Sequence, residues 1–401
     1  MRVLLLNAGS SSLKCTLIES EGSRVVAGAS ADWAGPVTHY AISRATAGRA
    51  SQEVAWRGHS EAVRRALDDL VPPAQRSGAH GSRLAAVGHR VVHGGEFTCS
   101  VRIAPEVRSR ISALAELAPL HNPPGLEVLA AAEAQLPDVP HVAVFDTAFH
   151  ASLPPAARSY ALPAAWTRDW GIRRYGFHGL SHAYCTGRAS ELLGRPAEAL
   201  RLVICHLGHG CSAAAILHGR SVDTTMGFTP LDGLVMATRS GSIDPSIALH
   251  VQLDHGLVAK EVEHALNHDA GLRGLSGTSG DMREVLASAR AGDERAQLAF
   301  DVYTHRIRQA IGAFVATLGG IDALVFTAGV GENSAEVRAA SCRGLECLGL
   351  ELDAGANESC RPDADVARRA SPARILVIAT REDLTMLREV VRVIGGEDHE
   401  R

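Results

Sequence analysis

The segment Asn7-Ala8-Gly9-Ser10-Ser11-Ser12-Leu13-Lys14 sets three hydroxyls, an ammonium and turn-forming small residues between two apolar runs. Backbone N–H groups in such a turn, with Ser10, Ser12 and Lys14, suit an anion such as phosphate. The same residues also make a plain Ser/Gly hairpin. Two further segments, His206-Leu207-Gly208-His209-Gly210 and Ala328-Gly329-Val330-Gly331-Glu332-Asn333, follow apolar runs. Glycine lets backbone approach a phosphate, and the second segment leads into a helix pattern starting near Ser334, whose N-terminus adds a positive dipole end. Either segment alone is ordinarily a turn; three in one chain point to a phosphorylated ligand. The spacing Gly-x-Gly-x-x-Gly is missing from both, which disfavours a dehydrogenase. A Walker A loop needs Gly-Lys, and the chain's two lysines, Lys14 and Lys260, follow Leu13 and Ala259, so P-loop NTPases are excluded.

Two arginines stand in apolar or small-residue surroundings: Arg90 in Gly88-His89-Arg90-Val91-Val92-His93-Gly94-Gly95 and Arg239 in Met236-Ala237-Thr238-Arg239-Ser240-Gly241. A guanidinium presents a planar fork to carboxylate or phosphate, and each would serve equally as partner to a structural carboxylate. Asp146 ends the apolar run His141–Phe145, where an open α/β sheet places its ligands; a helix N-cap is the plainer use of such an Asp. His178 and His121 sit in loops and read either as catalytic or as hydrogen-bonding side chains. Neither His-Glu-x-x-His nor Gly-x-Ser-x-Gly occurs in the sequence, so a zinc or serine hydrolase has no support.

These residues need elements to hold them. Aliphatic runs at Arg2–Leu6, Lys14–Ile18, Ala85–Val92, His141–Phe145, Arg201–Cys205, Ala213–Leu217, Ile321–Phe326 and Arg374–Ile378 predict buried strands. Three- and four-residue spacing predicts helices over Glu61–Leu70, Pro105–Leu117, Pro124–Leu136, Pro245–Leu253, Glu294–Leu318 and Glu382–Ile394. The result is an α/β chain. Prolines 154, 155 and 163 mark a boundary near residue 150, and the last helix returns to the first domain. The domains are then 1–150 plus 384–401 and 151–383. The two glycine-containing turns after Leu6 and after Cys205 echo one another, as two similar halves would.

The 401 residues, 46% hydrophobic and 21% charged, suit an ordinary folded chain with a sizeable core. A net charge of −4 with scattered basic residues argues against nucleic acid as a partner. The eight cysteines include no Cys-x-x-Cys pair and read as reduced thiols. An apolar run ending at Asn7, and none of about 18 residues, gives no signal peptide and no membrane span, so the expected location is the cytoplasm.

Six segments, in order along the whole chain, resemble the acetate kinases: Asn-x-Gly-Ser-Ser-Ser-x-Lys, His-Arg-Val-Val-His-Gly-Gly, Phe-Asp-Thr-Ala-Phe-His, Tyr-Gly-Phe-His-Gly-x-Ser-His, Thr-Arg-Ser-Gly-x-Ile-Asp-Pro and Thr-Ala-Gly-x-Gly-Glu-Asn. The resemblance implies the duplicated two-domain actin-like (ribonuclease H-like) α/β fold with an interdomain cleft. It also implies transfer of a phosphoryl group from ATP to acetate, giving ADP and acetyl phosphate, with Mg²⁺ or Mn²⁺ and as a homodimer. It assigns Asn7 and Glu382 to the metal. ATP falls to Lys14 with Ser10 and Ser12, the His206, Leu207, Gly208, His209 and Gly210 loop, Asp281, Met282 and Arg283, and Gly329, Val330, Gly331, Glu332 and Asn333. Arg90 and Arg239 become the substrate and phosphoryl clamps, His178 a transition-state stabiliser and Asp146 an essential carboxylate. His121 lies nearby, and Val92, Leu120, Phe177 and Pro230 form a pocket for the methyl group.

The chain departs from that pattern at His209 for Asn, Ser242 for Asp, Arg381 for Asn, Asp383 for Glu and Ala237 for Gly. The alternatives that stay open are a propionate or butyrate kinase, a pyrophosphate-dependent enzyme, and a binding module of the same fold that closes on nucleotide without transfer.

Overall fold

The computed structural model describes residues 1–45, 48–72, 84–116, 118 and 122–396. The chain divides into two compact units, Met1–Phe149 with Arg381–Arg401, and His150–Thr380. Glu382 and Asp383 belong to the first.

Among the described residues the first unit holds one eight-stranded sheet, built from β1 (Arg2–Ala8), β2 (Ser12–Glu19), β3 (Arg24–Asp32), β4 (Thr38–Arg44), β5 (Gly48–Val54), β6 (Leu84–Val91), β7 (Val101–Arg102) and β8 (His141–Phe145), in the order β5-β4-β3-β2-β1-β6-β8-β7. β1 runs parallel to β6, and β6 to β8. Parallel strands are covered on both faces, which is why Val3 to Leu6 and all of β8 are buried. Helix Glu382–Ile394 lies on this sheet over β6. Gly88 makes that possible, because a Cβ there would stand 2.6 Å from Val390 and 2.9 Å from Leu5.

The second unit holds six strands, β9 (Arg201–Leu207), β10 (Cys211–Leu217), β11 (Arg220–Thr224), β12 (Ala323–Thr327), β13 (Ala364–Asp365) and β14 (Arg374–Val377), in the order β11-β10-β9-β12-β14-β13. Its β11-β10-β9-β12-β14 repeats β3-β2-β1-β6-β8: an antiparallel meander whose first strand then pairs in parallel with a later one. The echo between the two glycine turns is thus an echo of topology. The helix Glu294–Leu318 starts on Asp293, whose carboxylate accepts from two first-turn amides, and ends on Gly319 in the left-handed region.

Three expectations need correction. β3 to β5 went unforeseen because β3 is rich in Ala, Gly and Ser, β4 is mostly polar or small, and β5 is almost wholly exposed, so no continuous apolar run marks them. The helix from Pro105 ends at Ala113 and tightens into a 3-10 turn over Leu114–Glu116, and Leu117 lies outside the described residues. The stretch read as a glycine loop at 328–333 is itself a short helix, Ala328–Asn333, and the next one, Ala335–Cys342, is capped by Ser334.

Candidate active site

In the first unit, the chemistry gathers where the parallel strands end. Asn7 lies near the end of β1 opposite Lys14 on β2, Arg90 near the end of β6, Asp146 just past β8, and Glu382 opens the helix that covers the sheet. Arg90 donates through Nε to Asp146 Oδ1 at 3.0 Å and through Nη2 to Oδ2 at 2.6 Å. Its Nη1 donates to Asn7 Oδ1 at 3.1 Å and stands 3.7 Å from Glu382 Oε2. The Arg90 guanidinium is 17% exposed and Asp146 1%. Burial opposes the charge, but Asp146 and Glu382 outweigh it and push the Arg90 pKa up. Pairing with a carboxylate, the plainer use of an Arg, is therefore real here; it aims the guanidinium edge at Asn7.

Lys14 and Ser10 are exposed on the β1–β2 hairpin, and Ser12 is half-buried; the turn closes with Gly9 N–H donating to Ser12 O at 2.8 Å. Val92 is half-buried just beyond Arg90. Leu120 and His121 lie outside the described residues.

Among the described residues no group of three or more His, Cys, Asp or Glu side chains is placed to hold a metal ion. Asn7 Oδ1 and Glu382 Oε2, facing one Arg90 nitrogen, are a smaller set of hard oxygens. That set fits Mg²⁺ or Mn²⁺ arriving with substrate phosphates, since Mg²⁺ is commonly held by one or two carboxylates, waters and phosphate. The neighbouring Asp383 is occupied elsewhere, accepting from Arg381 Nε and Nη2, both at 2.9 Å. Two departures from the family pattern thus pair with one another, and of the adjacent carboxylates 382 and 383 it is Glu382 that stands near Arg90.

In the second unit, His178 occupies the left-handed region (φ 57°) at the start of helix Gly179–Leu193. A side chain there costs roughly 1–3 kcal/mol, which the surroundings must supply. They do so through Ser212 Oγ, 3.0 Å from His178 Nδ1, and through His206, whose ring stacks on His178 at 4.1 Å. A Cβ on Gly210 would sit 3.3 Å from His178 Nε2 and 3.6 Å from Arg239 Nη1, so the two side chains converge on this glycine. Arg239 Nη1 donates to Pro230 O at 3.2 Å, and burial draws its pKa below the usual value. Phe177 is buried (1% exposed), its carbonyl accepting from His150 Nε2 at 3.0 Å.

Beside this lies a cavity of about 1190 Å³. Gly208, His209, Asp281, Met282, Arg283, Gly329, Val330 and Asn333 all line it. Asp281 caps helix Met282–Arg290 through Arg283 N–H at 2.9 Å and pairs with the Arg283 side chain, which lowers its pKa. His209 is held neutral first by burial, then by Arg239. Of the other expected nucleotide residues of this unit, Leu207 and Gly331 are buried, His206 Nδ1 meets Ser181 Oγ at 2.7 Å, and Glu332 accepts from Thr380 N–H at 2.9 Å. Sequence reasoning missed Ala237, Thr238, Arg273, Thr278, Ser279 and Gly280, which also line the cavity. The signal was the Gly277-Thr278-Ser279-Gly280 turn before the Asp281 cap. Gly280 packs so tightly that a Cβ would lie 2.6 Å from Ala237 O. Ser242, standing for an acidic residue, donates to Asp232 Oδ1 at 2.5 Å and so remains tied to a carboxylate.

The sequence model of the Acetokinase family matches residues 2–388. The chain is 47% identical to the acetate kinase of Microcystis aeruginosa over 97% of this chain and 98% of that protein. The crystal structure of Porphyromonas gingivalis acetate kinase superimposes with a TM-score of 0.89 at 37% identity, covering 98% of this chain and 99% of that one. A propionate kinase from Francisella tularensis gives 0.89 and 37% over 97% and 98%. With the family pattern running through nearly the whole chain and both halves of the doubled fold, this chain belongs to the acetokinase family.

Proposed function

We propose that the protein transfers the γ-phosphoryl group of ATP to acetate, reversibly and by direct in-line displacement. The observation that carries this reading is the convergence of Arg239 Nη1 and His178 Nε2 on Gly210, next to a cavity of nucleotide size. A pocket of about 300–1,000 Å³ holds a drug-sized ligand, and about 1190 Å³ lined by Asp281, Gly329 and Asn333 favours a nucleoside triphosphate over pyrophosphate. The curated relative at 47% identity is an acetate kinase, which favours acetate over propionate.

A small carboxylic acid ionises near pH 4.3, so at neutral pH the nucleophile is already charged and needs no general base. The barrier is repulsion between that carboxylate and the phosphate. Arg239 and His178 donate to the transferring group, Arg90 to the acyl phosphate oxygens, and Asp146 holds the Arg90 fork in place. Asn7 and Glu382 would hold the divalent cation, which supplies charge neutralisation on the phosphates. The first unit takes acyl substrate and metal; the second takes nucleotide.

A homodimer is part of the same reading. Helix Pro245–Leu253 buries none of its residues, and Ile247, Leu249, Leu253 and Val258 are 49%, 58%, 81% and 61% exposed. Leu249 and Leu253, four residues apart, share one helix face, and exposed apolar side chains so placed suit a second copy of the chain. The reaction is tested by trapping acyl phosphate as hydroxamate with acetate, propionate and butyrate, each with ATP and with pyrophosphate. Arg90→Ala and Arg239→Ala are expected to lose about 10²–10³ in kcat. Near-normal turnover in either refutes the assignment, and absence of acyl phosphate under every condition leaves a binding module.

A further inference from the structure

Behind His178 stands a second histidine the mechanism above does not use. His182, one helical turn on, is wholly buried, with Nε2 2.8 Å from Ser212 Oγ. Its Nδ1 is buried without a hydrogen-bond partner. Ser212, itself wholly buried on β10 opposite His206 on β9, is thus shared between His182 Nε2 and His178 Nδ1 at 3.0 Å.

The orphaned atom decides which way this chain of hydrogen bonds runs. Burial, with His150 and His206 nearby, holds His182 neutral, so it carries one N–H. On Nδ1 that hydrogen would be a buried donor with no acceptor, among the rarest defects in folded proteins. On Nε2 it donates to Ser212 Oγ and leaves only a bare nitrogen unpaired. Ser212 then has its own hydrogen to give, and His178 Nδ1 is the acceptor in reach. A neutral His178 with Nδ1 accepting carries its proton on Nε2, the atom near Gly210 and Arg239.

We propose that His182 and Ser212 are positioning residues that fix the tautomer of His178, presenting a neutral Nε2–H donor to the transferring phosphoryl group. The proposal rests on the phosphotransfer reading for what His178 faces, but the tautomer itself is independent of turnover. An imidazolium at His178 would turn the Ser212 hydrogen back onto His182 Nε2 and force the His182 hydrogen onto the partnerless Nδ1, so the relay selects a neutral donor.

The test is long-range ¹H–¹⁵N correlation on enzyme labelled with ¹⁵N-histidine, the His178 signals being assigned by their loss in His178→Gln. The wild type is expected to show His178 protonated at Nε2 and bare at Nδ1; protonation at Nδ1 overturns the proposal. Ser212→Ala removes the hydrogen given to Nδ1. It is expected to mix the two tautomers and to lower kcat about 10- to 100-fold, the loss typical when the outer partner of a metal-ligating histidine is removed, with nucleotide KM unchanged. An unaltered tautomer and kcat in Ser212→Ala also overturn it. His182→Gln, which keeps an amide N–H for Ser212, is expected to retain the wild-type His178 tautomer, and loss of that tautomer there counts against the relay. If no variant or wild type forms acyl phosphate, the phosphotransfer reading fails and the tautomer result still decides this one.

Discussion

Replacing Asp146 by Asn keeps the side chain's size and removes its charge from beneath Arg90. Two charge-assisted hydrogen bonds, at 3.0 and 2.6 Å, become at most one ordinary one. The nearest remaining ion-pair partner is Glu382 at 3.7 Å. Breaking a buried pair by removing one partner costs about 3–5 kcal/mol, and with Arg90 17% exposed the lower end applies. For a unit of 150–250 residues each kcal/mol is worth about 2–4 °C, so its unfolding midpoint is expected to fall by roughly 6–12 °C. Turnover is expected to drop about 10²–10³-fold because the fork loses its two-point hold and its aim at Asn7. Differential scanning calorimetry and hydroxamate-coupled rates across pH 6–9 read both effects. A wild-type midpoint and rate refute the pairing argument. An acid limb in wild-type kcat/KM that vanishes in Asp146→Asn would make Asp146 a base and refute the claim that none is needed.

Burial lowers the pKa of His89, His141, His150 and His182, that of His150 to about 4. Such groups bind protons in the unfolded chain before they do in the folded one, so stability is full above about pH 6.5 and falls as pH drops from there toward 4. Each group adds a slope of up to about 1.36 kcal/mol per pH unit; denaturant titrations between pH 7 and 5 should show more than one proton taken up on unfolding, and a slope below one proton contradicts the neutral-histidine account. Leu253→Asp, on an 81% exposed position, is expected to convert a dimer to a monomer in sedimentation experiments; an unchanged mass moves the interface elsewhere. Asp281→Ala removes the cap on Arg283 N–H, costing about 1 kcal/mol, and should raise the Kd for ADP by calorimetry; unchanged binding removes Asp281 from the nucleotide site.

The elements that sequence places well are those with chemical punctuation. Helices Pro245–Leu253, Glu294–Leu318 and Glu382–Ile394 have the bounds their spacing predicts, and the first two start on Asp244 and Asp293 caps. The strand His141–Phe145 is legible because five consecutive apolar or buried residues can only lie inside. What escapes is long-range pairing. Arg90 and Asp146 are 56 positions apart, His178 and Ser212 34, and His150 and Ser221 71. No local pattern records which hydroxyl meets which imidazole. Helix Gly179–Leu193 was hidden for a local reason: it begins at a left-handed histidine rather than at a capping Ser or Asp.

The two arginines are prepared for an anion in opposite ways, and the difference matches the separate roles proposed for them. Arg90 has its pKa raised by the carboxylates around it, so its charge is already largely answered and an incoming anion gains mainly a fixed direction. Arg239 has its pKa drawn down by burial, which Cys211 only partly opposes, so its charge is held at a cost even with Nη1 donating to Pro230 O. A guanidinium in that condition gains most from an anion: at about 4 Å and an effective dielectric near 20, the attraction is about 4 kcal/mol. One pKa unit, or a factor of ten, corresponds to about 1.36 kcal/mol. About 4 kcal/mol is therefore close to a thousandfold, the upper end of the loss expected on removing a preorganised donor. In the proposed reaction the work would divide accordingly: Arg239, beside Gly210 with His178, would answer the charge that develops on the phosphoryl group, and Arg90 would set the direction of the anion it meets.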